Sequence, residues 1–350
     1  MKKSLLALAA LTAFAGVASA QSSVTLFGIV DLNLRNVKNG STSLKTMSQD
    51  GFNSSRLGLR GVEDLGGGLR AGFWLEGAMN PDTGTPAGQT WQRRSTVSLM
   101  GGFGELRLGR DYTPTFWNHT IFDPFGTNGV GAQTTLQGQG GGTDQLGLGA
   151  TTLVRTNNAI GYFLPSMGGL YGQLMVAAGE GVNGNKHVGG RIGYAAGPIN
   201  VAFAYGKTDI TSTSEMTGMN LGASWNLGFM TLMGQWHKYE GDRPGTGKTN
   251  DPEQTNLMIG ALFPFGASTL KFSYGRAEVD NLAGASTQKA SQVALGYQYD
   301  LSKRTALYTN YSRISNDTRV RFAVAAAPAF GGTASKPSST GYEFGIRHAF

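Results

Sequence analysis

Apolar and polar residues alternate with a period of two along most of the chain. In Val24–Arg35, Val24, Leu26, Val30, Leu32 and Leu34 share one parity and Thr25, Asp31, Asn33 and Arg35 the other, with Phe27 and Ile29 as exceptions. In Gln292–Tyr299, Val293, Leu295, Tyr297 and Tyr299 alternate with Gln292, Ala294, Gly296 and Gln298. Successive side chains of a strand point to opposite faces, so each such segment has one apolar face and one polar or small-residue face. About sixteen segments of this kind are predicted, near 23–36, 54–63, 69–79, 93–101, 104–112, 153–164, 169–179, 187–196, 199–208, 217–226, 229–239, 254–263, 267–279, 289–299, 304–314 and 341–350.

The links between them alternate in length. Short links of turn-forming composition, such as Gly102-Phe103, Gly197-Pro198 and Leu227-Gly228, alternate with long ones at 37–53, 80–92, 113–152, 180–186, 209–216, 240–253, 280–288 and 315–340. All short turns then lie at one end of an up-and-down antiparallel sheet. A soluble sandwich would bury its apolar faces against each other and would not sort its loops by length. A transmembrane barrel turns those faces to lipid and closes, leaving no unpaired backbone edge. Strands near ten residues, an even count, and aromatics near segment ends, as at Tyr162, Phe163, Tyr239 and Phe263, fit the barrel. The fold class expected is all-β: a 16-stranded antiparallel transmembrane barrel.

Composition agrees with an exported protein of this kind. Lys2 and Lys3, the apolar run Leu5–Val17 and Ala18-Ser19-Ala20 form a secretory signal pattern, too short for a membrane span. Residues 1–20 are expected to be cleaved, leaving 21–350 as one barrel domain, and loss of Lys2 and Lys3 takes the formal charge from +7 to +5. Without cysteine there is no disulfide framework and no thiolate chemistry. Gly, at 54 of 350 residues, is about twice average usage and shows no collagen period, while aromatics at 10% argue against disorder.

Four stretches carry a resemblance: Ser22–Asp31 (SSVTLFGIVD), Ser55–Leu69 (SRLGLRGVEDLGGGL), Gly104–Pro114 (GELRLGRDYTP) and Gly341–Phe350 (GYEFGIRHAF). Together with the strand pattern across the mature chain they resemble the trimeric general porins of Gram-negative outer membranes, in particular the beta-proteobacterial branch. The resemblance implies a water-filled channel for passive diffusion of small anionic or neutral solutes. It further implies a homotrimer in the outer membrane, contacts with lipid and lipopolysaccharide, and recognition by the barrel-assembly machinery, for which the terminal Phe350 is the expected signal. It implies no cofactor and no nucleic-acid partner.

In that family the third long loop bends inward and faces wall arginines. The third long link here is Thr113–Thr152, 40 residues rich in Gly, Thr, Gln and Asn without a Lys or Arg. A long non-periodic insertion in a compact protein is usually functional or disordered. Sixteen strands about 4.8 Å apart and tilted about 45° give a diameter near 35 Å, too wide for side chains alone to narrow to a small-solute sieve. The loop is therefore expected to fold inward.

By motif, Arg56, Arg110 and Arg155 are the expected constriction arginines, opposite Asp123 and Asp144 of the loop. Parity with Leu57 and Leu59 sends Arg56 inward, and parity with Ile160 and Tyr162 sends Arg155 inward. Arg110 shares parity with Leu106 and Leu108 and would need a bulge or an early strand end. Arg35, Arg60, Arg70, Asp31, Glu76 and Glu105 are further expected lumen charges. The balance is positive, so an anion preference of about tenfold follows from roughly 0.6 kcal/mol per unit charge at 7 Å in water. A substrate-specific porin and a surface adhesin barrel are the alternatives.

Chemistry of other kinds is not indicated. Asp242–Thr249 (DRPGTGKT) approaches a phosphate-cradling loop, but Asp242 stands where its first Gly belongs and a strand pattern follows. His119, His187, His237 and His348 lie in separate segments without metal-ligand spacing. No G-x-S-x-G elbow is present, and no enzymatic activity is expected.

Overall fold

Alternation turns into an inside-out distribution of burial. On one strand Gln292 and Ala294 are fully buried, whereas Leu295 beside them is 52% exposed. The apolar side chains point outward, and small or amide side chains pack inward against loop segments. That is the arrangement expected where lipid replaces water around the outer face. No helix among the described residues is long and apolar enough to cross a membrane.

A computed structural model describes residues 23–86, 90–136, 151–242, 251–280, 287–325, 327–332 and 335–350. Residues 1–20, expected as a signal peptide, lie outside them. The strands are β1 (Ser23–Asn39), β2 (Thr42–Ser48), β3 (Arg56–Gly66), β4 (Leu69–Asn80), β5 (Thr85–Pro86), β6 (Arg94–Gly101), β7 (Gly104–Tyr112), β8 (Arg155–Phe163) and β9 (Leu170–Ala177). They continue as β10 (Lys186–Ala196), β11 (Ile199–Asp209), β12 (Glu215–Asn226), β13 (Thr231–Gly241), β14 (Glu253–Phe265), β15 (Ser268–Asp280), β16 (Gln288–Asp300), β17 (Thr305–Asn316) and β18 (Ser338–Ala349).

These form one sheet of 18 strands in which every ladder is antiparallel. β2 pairs with Asn33–Asn39 of β1 and β3 with Ser23–Ile29, so β2 and β3 fill one wall position in two pieces. β5 is a two-residue hairpin tip on β4. Sixteen wall positions remain, as the alternation predicts. β1 also pairs with β18 from Ile29↔Ala349 to Asn39↔Ser339, which closes the barrel.

The long-loop end departs from simple outward loops. Residues 317–325 turn back toward the third loop: Val320, Phe322 and Val324 are buried against Val37, Ile314 and the third-loop residues Val130 and Leu136. Asn316 holds this turn through its side-chain amide, accepting from the Phe322 N–H and donating to the Phe322 carbonyl. Below it, Arg35 of β1 donates to Glu343 of β18 at 2.8 Å and to Asp50 at 2.9 Å. Glu343 accepts in addition from Asn310 at 2.8 Å and from the Val130 amide at 3.2 Å. One carboxylate thus ties the closing seam to the third loop. Glu343→Ala would leave the almost wholly buried Arg35 guanidinium with Asp50 as its one remaining carboxylate partner and would remove the acceptor of Asn310 and of the Val130 amide. It is expected to destabilise the barrel by about 3–5 kcal/mol, read as a lower temperature for loss of the heat-modifiable folded band on a detergent gel.

Candidate channel constriction

The third long link begins with helix α1 (Pro114–Phe122), which the alternation could not foresee. Pro114 at its first position fixes φ and has no amide to leave unsatisfied. Asn118, His119 and Phe122 are buried against β11–β13, and Phe116 lies against the Tyr112 ring at 4.8 Å. Asn118 donates to the Ala202 carbonyl at 3.1 Å and to Asn220 at 2.8 Å, and the His119 ring lies 3.2 Å from Gln235 and stacks on His237 at 4.5 Å. The Phe122 ring fills the place that a Cβ at Gly222 would take.

Beyond the helix, Asp123 closes a turn by accepting the amides of Phe125, Gln133 and Thr127 at 2.9, 3.0 and 3.2 Å. The chain then follows the wall. Gln133 bonds Ser273 at 3.0 Å, and Gln254 and Asn256 both donate to the Leu136 carbonyl at 3.1 Å. Gly129, in a left-handed conformation, passes so close to Gly51 and Glu343 that no side chain would fit there. The described part of the loop is therefore folded inward and fixed along the wall from β10 round to β18.

Between this loop and the opposite wall lies an opening of about 660 Å³. Its wall side carries Arg56, Glu76, Arg93, Arg94, Asp111 and Arg155, and its loop side carries Phe116, Trp117, Thr120, Thr127, Asn128 and Thr134. Among the described residues, all charge at the opening is on the wall side. Glu76 accepts from Arg93 at 2.5 Å, from Arg56 at 3.3 Å and from Trp74 Nε1 at 3.0 Å, so it orients two guanidiniums. Tyr112 Oη accepts from Arg93 at 3.2 Å and from Arg155 at 2.9 Å, and the Arg155 guanidinium also lies over the Tyr112 ring at 4.4 Å. Arg94 stacks on Trp74 at 4.6 Å, and its Nε lies 3.9 Å from Asp111. Arg155 has no acidic partner among the described residues; its remaining bond is to the Arg93 carbonyl at 2.7 Å.

The expected site residues divide accordingly. Arg56, Arg155 and Glu76 meet at the opening, whereas Arg110 lies outside it. A bulge does interrupt β7 and β8, but the extra residue is on β8, at Asn157-Asn158, with Asn158 at φ 53. Arg110 keeps the parity of Leu108 and is held by the Gln92 carbonyl and Asn157 Oδ1 at 2.5 and 2.6 Å. The same bulge defeats the parity argument for Arg155, since Thr156 continues the buried face; Arg155 reaches the opening because it begins β8.

Asp123 is buried away from the opening, and Asp144 lies outside the described residues. Burial pushes the Asp123 carboxyl up to about 6 against the opposing pull of its three amide donors and of Lys271. Burial likewise lowers the His119 imidazole to about 4.

Asp31 and Arg35 point inward but are sealed beneath residues 50–55: Asp31 accepts the Phe52 and Asn53 amides at 2.9 and 2.7 Å. Arg60 stacks on Phe27 and Trp74 at 5.3 and 5.1 Å, which explains why Phe27 breaks the alternation. Glu105 pairs with Arg107 at 2.8 Å, and Arg70 is an exposed residue beside the short turn between β3 and β4. Phe350 follows β18, its amide donating to the Gly28 carbonyl at 3.0 Å. Arg93, Arg94 and Tyr112 are the residues that motif matching missed. The adjacent Arg93-Arg94 pair at the start of a strand with polar Thr96 and Ser98 was the available signal.

Comparison with known proteins bears on the same architecture. The family model described as Gram-negative porin matches residues 7–319. The chain is 41% identical to outer membrane porin protein 32 of Delftia acidovorans, over all of both chains. It is 30% identical, again over both full lengths, to an outer membrane porin protein of Bordetella pertussis. The solved anion-selective porin of Comamonas acidovorans superposes with a TM-score of 0.81 at 37% identity, covering 94% of this chain and 100% of that one. A closed sixteen-position barrel narrowed by its third loop, matched in sequence along nearly its whole length, is an outer-membrane channel, and the chain belongs to the Gram-negative porin family.

Proposed function

We propose that the channel passes small hydrophilic solutes with a preference for anions. The observation that carries this reading is the one-sided opening: Arg56, Arg93, Arg94 and Arg155 against Glu76 and Asp111, with no charge among the described residues of the loop face opposite. Two uncompensated unit charges about 7 Å from a permeating ion are worth roughly 1.2 kcal/mol in water, a preference of about tenfold for anions. Screening over a Debye length near 8 Å lowers this, and low-dielectric walls concentrate the field again. The anion selectivity of the Comamonas acidovorans porin supports the same sign. In a planar bilayer with a KCl gradient, the reversal potential should carry the sign of chloride; the sign of potassium would overturn the proposal.

Glu76 is the internal control. Glu76→Gln removes the wall carboxylate shared by Arg56 and Arg93 while keeping an acceptor for them. It is expected to raise the chloride preference by about threefold, from roughly 0.6 kcal/mol for one added unit of positive charge. We further propose that the barrel works as a homotrimer, as in the general porins it resembles.

A further inference from the structure

Tyr112 ends β7 at the rim of the opening, immediately before the third loop. Its ring is held on several sides. Phe116 lies at 4.8 Å, Trp117 meets it edge-on at 5.3 Å, and the Arg155 guanidinium covers it at 4.4 Å. The place of its oxygen is therefore set, while the residue as a whole stays half-buried at the opening.

A phenolic hydroxyl both accepts and donates, whereas a guanidinium only donates. Both bonds at Tyr112 Oη therefore run toward the oxygen, from Arg93 Nη2 at 3.2 Å and from Arg155 Nη2 at 2.9 Å. The hydroxyl proton is left over, with no acceptor among the described residues. Guanidinium nitrogens of the same wall share that condition. Arg93 uses Nε on Glu76, Arg155 uses Nε on the Arg93 carbonyl, and Arg56 uses Nε and Nη1 on the Ser54 carbonyl and Glu76. Arg93 Nη1, Arg155 Nη1 and Arg56 Nη2 are left without an acceptor among the described residues. The wall of the opening is thus short of acceptors where solutes pass.

Arginines attract any anion through charge, so they set the sign of the preference and not the kind of anion. A hydroxyl carries no net charge, and the strength of its bond depends on how well the anion accepts. Donation is strengthened when the same oxygen accepts from two cations. An ion in a narrow passage exchanges part of its hydration shell for groups of the wall. Strong acceptors lose most in that exchange, and an aligned O–H restores part of the loss to them and little to weak acceptors. On the reading of the channel as anion-preferring, we propose that Tyr112 is a specificity-determining residue. Its hydroxyl donates to the passing anion beside the Arg93 and Arg155 guanidiniums and favours strong acceptors, such as chloride and formate, over weak ones such as perchlorate.

Bi-ionic reversal potentials of the full barrel in planar bilayers, chloride against perchlorate, test this role. In the wild type the chloride-to-perchlorate permeability ratio is expected to exceed the ratio of their mobilities in water. Tyr112→Phe should lower it by about fivefold, somewhat less than one hydrogen bond to a charged group is worth away from water. Its KCl reversal potential should keep the sign of chloride, because the arginines remain. Placing O-methyltyrosine at position 112 keeps the oxygen that receives Arg93 and Arg155 and removes only the proton. It should lower the ratio as far as Tyr112→Phe does, and both variants should keep the heat-modifiable folded band. A wild-type ratio no higher than the mobility ratio, or a ratio unchanged in Tyr112→Phe, would overturn the role. Retention of the wild-type ratio with O-methyltyrosine would overturn it too, since the proton would then be irrelevant. So would loss of the chloride sign in Tyr112→Phe, which would leave Tyr112 only a support for the guanidiniums. A potassium-signed potential in the wild type would overturn the anion preference and this role together, whereas each of the other results overturns the role alone.

Discussion

Replacing Arg56, Arg93 and Arg155 together with glutamate is expected to turn an anion-preferring channel into a cation-preferring one. Each exchange moves a charge by two units, so three exchanges change the energy of a monovalent ion about 7 Å away by roughly 3.6 kcal/mol in water before screening. That exceeds the roughly 1.2 kcal/mol attributed to the wild-type excess, so the sign itself should reverse. The three guanidiniums are linked through Glu76 and Tyr112, which makes the glutamine triple variant a necessary companion. Glutamine keeps polar contacts and removes the charge, taking the excess at the opening from two positive units to one negative unit, so the preference should pass through unity to about threefold for cations, from roughly 0.6 kcal/mol per unit charge. Arg110→Gln serves as the comparison, because its guanidinium is bound to Gln92 and Asn157 outside the opening. Its reversal potential should stay at the wild-type value; a shift as large as that of Arg155→Gln would return Arg110 to the constriction.

The second large effect concerns the loop itself. Phe122 is fully buried at the end of α1 and occupies the space above Gly222. Phe122→Ala removes that anchor and is expected to weaken attachment of the loop by about 3–5 kcal/mol, the usual cost of emptying a buried aromatic site. Gly222→Val reaches the same end from the wall side, since its side chain and the Phe122 ring cannot share the place. Both variants should give higher single-channel conductance with lower ion selectivity, because the arginines then face a wider aqueous path. Unchanged conductance in both would mean that hydrogen bonds such as Asn118–Asn220 and Gln133–Ser273 hold the loop without the aromatic contact.

Much of this molecule was legible in its residue pattern, for a physical reason. A barrel with lipid outside and water or loop inside imposes period two on every strand, so the wall count and the loop ends follow from alternation alone. Local irregularities are invisible to that rule. The bulge at Asn157-Asn158 shifts parity within one strand, and a parity argument carried across it reaches Arg155 for the wrong reason. Arg93 escaped because it stands one residue before β6, where pleating no longer fixes side-chain direction. The helix α1 is set by tertiary packing: Asn118 and His119 find partners on β11–β13 that no short-range pattern announces. The burial of Asp123 has the same origin, since its three amide partners come from the turn that it organises.

The seam between β1 and β18 has a kinetic consequence. Arg35 and Glu343 are 308 residues apart in sequence, and β1 cannot complete its pairing until the last strand is in place. Loop-closure entropy grows only logarithmically with separation, so this costs little equilibrium stability, but contacts of such long range slow folding. Once formed, the ring offers no frayed edge from which unzipping can start. Opening it requires breaking a full strand pair together with a buried ion pair inside a lipid-facing wall. The barrel should therefore persist in detergent far longer than its equilibrium stability implies, with the β1–β18 seam as the step that sets its lifetime.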